Sequence, residues 1–158
     1  MNQFSGSDLF VAIGDPIKRK TLLSQIDDVG RIISLLDPSA IISSDVVIGR
    51  GSVIMPGVVI NTGTQIGEGC IINTSATLDH DNTVGDFSHL SPGAHAAGTV
   101  TIGDNVWIGT GGIVINNIWI CSDVIIGAGT VVIKDIHYPG VYVGNPARKV
   151  TKKKEPDR

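Results

Sequence analysis

The sequence predicts a mainly β chain wound into a parallel β-helix of six-residue repeats. Three observations carry this. From Ile42 an aliphatic residue recurs at every sixth position: Ile42, Ile48, Ile54, Ile60, Ile66, Ile72, Leu78, Val84, Leu90, Ala96, Ile102, Ile108, Val114, Ile120, Ile126 and Val132. All 16 are aliphatic and the frame never slips. Four residues into each unit the side chain is usually small or β-branched, as in Val46, Ser52, Val58, Thr64, Cys70 and Ala76. The composition agrees: 20 glycines, 17% charged and 4% aromatic residues suit many thin, similar layers better than a core filled by a few large rings.

A period of six fits neither an α-helix nor a hairpin array. It fits short strands joined by tight turns, with the aliphatic side chain pointing inward. Glycine often follows it, as in Ile48-Gly49, Ile66-Gly67 and Ile102-Gly103. Glycine and asparagine are expected to supply the turn positions with positive φ. Three hexads close one triangular coil, so residues 18 apart stack about 4.8 Å apart. From Ile42 onward this makes a little over five coils, each burying its aliphatic residues against the next.

The ends read differently. Leu9–Ile13 is a strand candidate closed by Gly14. Asp15 can cap a helix with Pro16 at its first position. Leu22, Leu23 and Ile26 give that helix an apolar stripe, and Gly30 can end it. Arg31–Leu36 reads as a second strand, making one β-α-β unit packed on the first coil. After Val132 the pattern frays, and the segment around Val141–Val150 is placed as the cover of the open end. The expected division is 1–40 for the N-terminal α/β segment, 41–137 for the β-helix, and 138–158 for the cap and the basic tail at Lys152–Lys154.

Charge is mild, with 12 basic against 15 acidic residues and a net of −3, so there is no electrostatic footprint for nucleic acid. Cys70 and Cys121 have no metal-type spacing. Leu9–Ile13 is too short for a signal or membrane segment, which makes a cytoplasmic protein without membrane insertion the expectation.

Four histidines are available as acid–base groups: His80, His89, His95 and His137. His80 stands in Leu78-Asp-His-Asp81. A carboxylate on one ring nitrogen would fix the tautomer and stabilise the charged form; the same residues also read as a solvated turn. His89 should stack beneath Trp107 and then Ile125 on the outside of a coil. That column is either a surface ladder or one wall of a groove at a subunit contact. His95 should stack between Thr77 and Ile113, and both it and His137, near the cap, read as structural or solvated.

Asn73-Thr-Ser-Ala-Thr-Leu-Asp-His-Asp-Asn82, Val84-Gly-Asp-Phe-Ser-His-Leu-Ser-Pro-Gly-Ala94 and Ala97-Gly-Thr-Val-Thr-Ile-Gly103 together resemble the nucleotide-sugar and sialic-acid acetyltransferases of the PglD/NeuD type. The resemblance runs from about Asp8 through nearly the whole chain. Val143-Gly-Asn-Pro-Ala147 is similar to the terminal motif of hexapeptide acyltransferases generally. The unbroken frame sets the chain apart from members with a long loop extruded from a coil.

The resemblance implies a left-handed coil, against the general right-handed preference of parallel crossovers. It implies a homotrimer with active sites between neighbouring β-helices, acetyl-CoA as donor, and no metal. His80 matches the general base and Asp81 the acid that raises its basicity, a Glu in PglD. His89 matches a residue contacting acetyl-CoA. Gly98 matches the glycine whose backbone N–H faces the oxyanion, and Thr110 and Ala128 match positions lining the CoA groove. Family members begin with a longer Rossmann-like half carrying a glycine-rich turn. No such turn precedes Phe10 in this sequence, so an N-terminal domain that is shortened, whether natively or by a misassigned start or fragmentation, is the expectation, with Gly14 and Asp15 as the sugar-site candidates.

The expected function is acetyl-CoA-dependent N-acetylation of a UDP-linked 4-amino-4,6-dideoxy sugar, by direct attack, in glycan or surface polysaccharide synthesis. O-acetylation of a sialic acid or another sugar hydroxyl is the alternative within the same chemistry. Outside it stand a metal lyase of the γ-carbonic-anhydrase type, whose three-histidine pattern does not match the spacings here, and a non-catalytic scaffold.

Overall fold

A computed structural model describes residues 7–26 and 31–151. The chain winds into three parallel sheets, one on each side of a triangular coil. Face I holds Leu35–Leu36, Val53–Ile54, Ile71–Ile72, His89–Leu90, Trp107–Ile108 and Val124–Ile126. Face II holds Ile41–Ile42, Val59–Ile60, Thr77–Leu78, His95–Ala96, Ile113–Val114 and Val131–Val132. Face III holds Val47–Ile48, Gln65–Ile66, Thr83–Val84, Thr101–Ile102 and Trp119–Ile120. Strands pair with those 18 residues away, as in His89↔Trp107, Trp107↔Ile125 and Thr77↔His95↔Ile113.

The recurring aliphatic residues form the core. From Ile54 to Val132 each is 3% exposed or less. Ile42 and Ile48 are half-buried, because the first coil has a neighbour on one side only. Burying one such side chain stabilises by roughly 1.5–3 kcal/mol, so the stack gains stability coil by coil. The small residues four positions on fill the corners and hold the coils in register. Ser88 Oγ donates to Gly103 O and accepts from Val106 N–H.

Glycine has two uses, and only one matches the expectation. The glycines directly after the aliphatic residue do not have positive φ. A Cβ at Gly85 would lie 2.6 Å from the backbone of Gly103 in the next coil, so the requirement there is close approach. The left-handed turn position comes two residues later. It is glycine at Gly51, Gly57, Gly63, Gly69, Gly93, Gly111 and Gly129, and Ser75, Asp81, Phe87, Thr99, Asn105, Asn117 and Asp123 at the other turns.

The N-terminal unit is smaller than expected. Leu9 and Ile32 meet in one parallel bridge, not as two strands. Helix α1 spans Pro16–Ser24, with Asp15 Oδ1 accepting from Lys18 N–H at 2.9 Å. It ends at Gln25 and not at Gly30, which lies outside the described residues. Its buried residues are Arg19 and Leu23, whereas Leu22 of the expected stripe is exposed. Leu35–Leu36 belongs to face I, pairing with Val53–Ile54. That extra side brings the winding to about six turns.

At the other end the last segment closes all three faces. Ile136 bridges Ile120 on face III, Gly140–Val143 continues face I, and Ala147 N–H reaches Val131 O on face II. Arg148–Lys149 then folds back antiparallel and ends the sheet. The Lys152–Lys154 tail lies outside the described residues.

Candidate active site

His80 and Asp81 occupy the corner between faces II and III, directly after Leu78-Asp79. The turn is rigidly held from inside. Asp79 O accepts from Thr64 Oγ1 at 3.0 Å and from Asn82 Nδ2 at 2.7 Å, and the Asn82 side chain, fully buried, also accepts from Val100 N–H. Asp81 sits in the left-handed region, which Asp tolerates better than most residues. That conformation places its carboxylate 2.8 Å from His80 Nδ1. Nδ1 therefore carries the proton in the neutral ring, and Nε2 keeps its lone pair.

Gly98 lies one coil on, in the same column. A Cβ there would collide with His80 Nε2, and would stand 2.6 Å from Cε1. The free ring nitrogen of His80 is thus turned onto Gly98. The Gly98 carbonyl accepts from Asn117 N–H, while its own N–H donates to no other described residue. Hydrogen bonding to Asp81 is the largest effect and raises the His80 pKa above its ordinary value; desolvation opposes it, and the charges of Asp79 and then Asp81 add to the rise.

His89 is in a different environment, on the outer surface of face I. Its ring stacks on Trp107, with centroids 5.7 Å apart and planes 8° from parallel. Asn73, in the preceding coil, accepts from Thr74 N–H through Oδ1 at 2.8 Å, which turns its Nδ2 toward His89 Nε2 at 3.2 Å. His89 Nε2 is therefore the acceptor, and Nδ1–H is a donor with no hydrogen-bond partner among the described residues. Burial, then the charge of Arg19, push the His89 pKa down to about 4. His80 is a ring whose proton affinity is enhanced; His89 is a ring held neutral.

Gly14 and Asp15 lie across from His89. With Arg19, Phe87 and Trp107 they line a cavity of about 480 Å³. A second cavity, of about 410 Å³, lies on the other side of Gly14 and includes Asn73 and His89. Thr110 and Ala128 are exposed on the corner between faces I and II. Within one chain the candidates therefore form three clusters. His80, Asp81 and Gly98 meet at one corner, His89 meets Gly14 and Asp15 on face I, and Thr110 and Ala128 stack at another corner. His95 stacks as expected and bonds Thr77 Oγ1 at 2.8 Å; His137 lies against Trp119. Among the described residues no three His, Cys, Asp or Glu side chains converge as a metal site.

Sequence reasoning missed Asn73 and Arg19 as parts of the His89 environment. Asn73 was legible in outline: it stands two residues beyond Ile71, the strand partner of His89. Arg19 gave no signal, because nothing in the hexad pattern says which coil a flanking helix packs on.

The model of the bacterial transferase hexapeptide (six repeats) family matches residues 45–80. No curated protein matches. The acetyltransferase domain of PglB from Neisseria gonorrhoeae is 37% identical, covering 90% of this chain and 70% of that one, with a TM-score of 0.87. A variant of the perosamine N-acetyltransferase of Caulobacter crescentus, solved with CoA and GDP-perosamine, is 39% identical over 94% of this chain and 71% of that one, with a TM-score of 0.90. The chain belongs to the hexapeptide-repeat sugar N-acetyltransferases. WeeI from Acinetobacter baumannii has the same fold at 29% identity, covering 89% of this chain and 69% of that one, with a TM-score of 0.84. Membership makes the coil the left-handed β-helix of these enzymes and the chain an acyltransferase that uses CoA. No helix among the described residues is long and apolar enough to cross a membrane.

Proposed function

We propose that this chain transfers the acetyl group of acetyl-CoA to the amine of a nucleotide-linked 4-amino-4,6-dideoxy sugar, in the cytoplasm, as a homotrimer with its sites between subunits. The observation that carries the reading is the His80 constellation: Nδ1 on Asp81 at 2.8 Å, Nε2 turned onto Gly98. The amine attacks the thioester carbonyl carbon as His80 Nε2 takes its proton. The C–N bond forms, the C–S bond then breaks, and the imidazolium returns the proton to the CoA thiolate. Asp81 holds the ring's tautomer and stabilises its charged form. The Gly98 N–H is the donor for the tetrahedral oxyanion. The His89 Nδ1–H, kept neutral by its surroundings, serves as a donor to the thioester oxygen. Thr110 and Ala128 line the CoA groove, and Gly14 and Asp15 stand on the sugar side.

The separation of these clusters within one chain supports a site assembled from two copies. The PerB complex with CoA and GDP-perosamine supports an amino-sugar nucleotide as acceptor and leaves UDP and GDP forms as arms of one assay. His80→Ala should lower kcat at least 10²-fold, the scale of lost general-base catalysis, with acetyl-CoA affinity by calorimetry unchanged. Turnover near wild type in that variant sinks the assignment. Acetylation of sialic acids but of no amino-sugar nucleotide would shift it to O-acetylation.

A further inference from the structure

Arg19 is the most buried charge among the described residues and takes no part in the chemistry above. Its side chain is 2% exposed. All its described hydrogen bonds go to backbone carbonyls. Nε donates to Gly69 O at 2.7 Å and one terminal nitrogen to Phe87 O at 3.1 Å, both at left-handed turn positions of successive coils. The other terminal nitrogen donates to Ile13 O and Gly14 O, each at 2.8 Å. One planar fork thus rivets the N-terminal segment to two coils of the β-helix. A lysine, with a compact ammonium, cannot match this geometry.

The place of the rivet matters more than its strength. Gly14, Arg19 and His89 are shared by both cavities, of about 480 and 410 Å³. Ile13 and Gly14, held by Arg19, form a crosspiece beside His89, with Gly14 lining both cavities and Ile13 the second. Burial is the main cause of the depressed pKa of the His89 ring, which lines both cavities together with Gly14. Burying a guanidinium is costly unless its donors are met. A helix that needed only to stick to the coil could use an apolar residue here, as it does at Leu23, 3% exposed.

We propose that Arg19 is a positioning residue: its four carbonyl contacts hold the Ile13–Gly14 crosspiece so that the His89 N–H is presented to the two cavities it shares with Gly14. This rests on the role given to His89 above. It assigns no contact between Arg19 and substrate.

Arg19→Lys is the discriminating variant, because it keeps the charge and loses the fork. In the full-length chain, the His89 ring followed by NMR should titrate at least one pH unit above its wild-type value, while His80 titrates as before. The kcat should fall about 10–100-fold per folded active site, the scale of a reacting group displaced by about 1 Å. A purely structural pin would lower the yield or thermal midpoint and leave both readouts alone. Unchanged His89 titration, or unchanged kcat beside a shifted titration, overturns the proposal. Should the variant not fold, the wild-type Arg19 Nε–H decides: it must be visible and slow to exchange at pH 7, and rapid exchange overturns the proposal. The NMR arms need no turnover. A chain that fails to acetylate any amino sugar would therefore count against the proposed function and not against the rivet.

Discussion

Gly98→Ala is the smallest change that tests the candidate site. The added Cβ would stand 2.6 Å from His80 Cε1 and 3.0 Å from Cδ2, and closer still to Nε2. Carbon atoms pack at about 3.5–4.0 Å, so something must move by about 1 Å. The backbone cannot easily do so: Asn117 N–H bonds Gly98 O, Ala97 N–H bonds Val114 O, and Thr99 N–H bonds His80 O. The imidazole can, since the His80 side chain is 52% exposed. It would swing into solvent and away from Asp81. A displacement of about 1 Å costs on the order of 10²-fold in rate, or roughly 2.7 kcal/mol of barrier. Stability should hardly change, because Gly98 is not in the left-handed region and alanine suits its backbone. The pH dependence supplies a second readout. In the proposed role His80 can act as a base only when unprotonated, and its pKa is raised, first by the Asp81 hydrogen bond. Activity in the native protein is therefore lost as pH falls through a value above about 6.5. Losing Asp81 must move that limb to lower pH while the plateau drops. The assay is CoA release against pH, beside a urea unfolding curve. A folded variant with kcat within threefold of wild type and an unmoved acid limb would refute the geometry.

Asp81→Asn removes the carboxylate and keeps the shape, so the acid limb of kcat/KM should again shift to lower pH, with kcat reduced about 10-fold or more; an unmoved limb in a pH–rate profile contradicts the pairing. Thr99→Gly should stabilise the chain by about 1 kcal/mol, because a β-branched residue in the left-handed region is costly; its urea midpoint should rise, and a fall would show that the threonine side chain holds the corner in some other way.

The fold was legible because each coil repeats one local solution. An aliphatic residue every six positions needs no knowledge of distant contacts, and the register follows by counting 18. His89 beneath Trp107 and His95 between Thr77 and Ile113 came from that arithmetic alone. At the front the arithmetic was started one side too late. Arg31–Leu36 looked like part of a separate unit because it follows the helix candidate, yet Leu36 stands six residues before Ile42 and pairs with Ile54, so Leu35–Leu36 is already a side of the coil. The end of α1 was misplaced for a related reason: a glycine is a strong stop signal, but the helix stops earlier, where Gln25 N–H turns back to Leu22 O and Ile26 N–H to Leu23 O. At the site, His80 and Asp81 could be paired from adjacency. The lone pair facing Gly98 and the neutral state of His89 depend on neighbours in other coils, and those appear only when the coils are stacked.

That stacking explains how one coil can give two histidines opposite environments. His80 falls on a corner, where a neighbouring residue in the left-handed conformation can reach its Nδ1. His89, nine residues on, falls on the outside of a face, where the neighbours are side chains above and below: Trp107 on one side, Asn73 on the other. The corner leaves Nε2 with its lone pair; the face occupies Nε2 and leaves Nδ1–H. Acetyl transfer needs both, a lone pair to take a proton and an N–H to meet developing negative charge. Nine residues is one and a half sides of the triangle, so within one chain the two rings cannot face a common point. A second copy, bringing its face I against the His80 corner, would supply the missing half. The same spacing that separates their chemistry is thus the physical reason to expect a site shared between subunits.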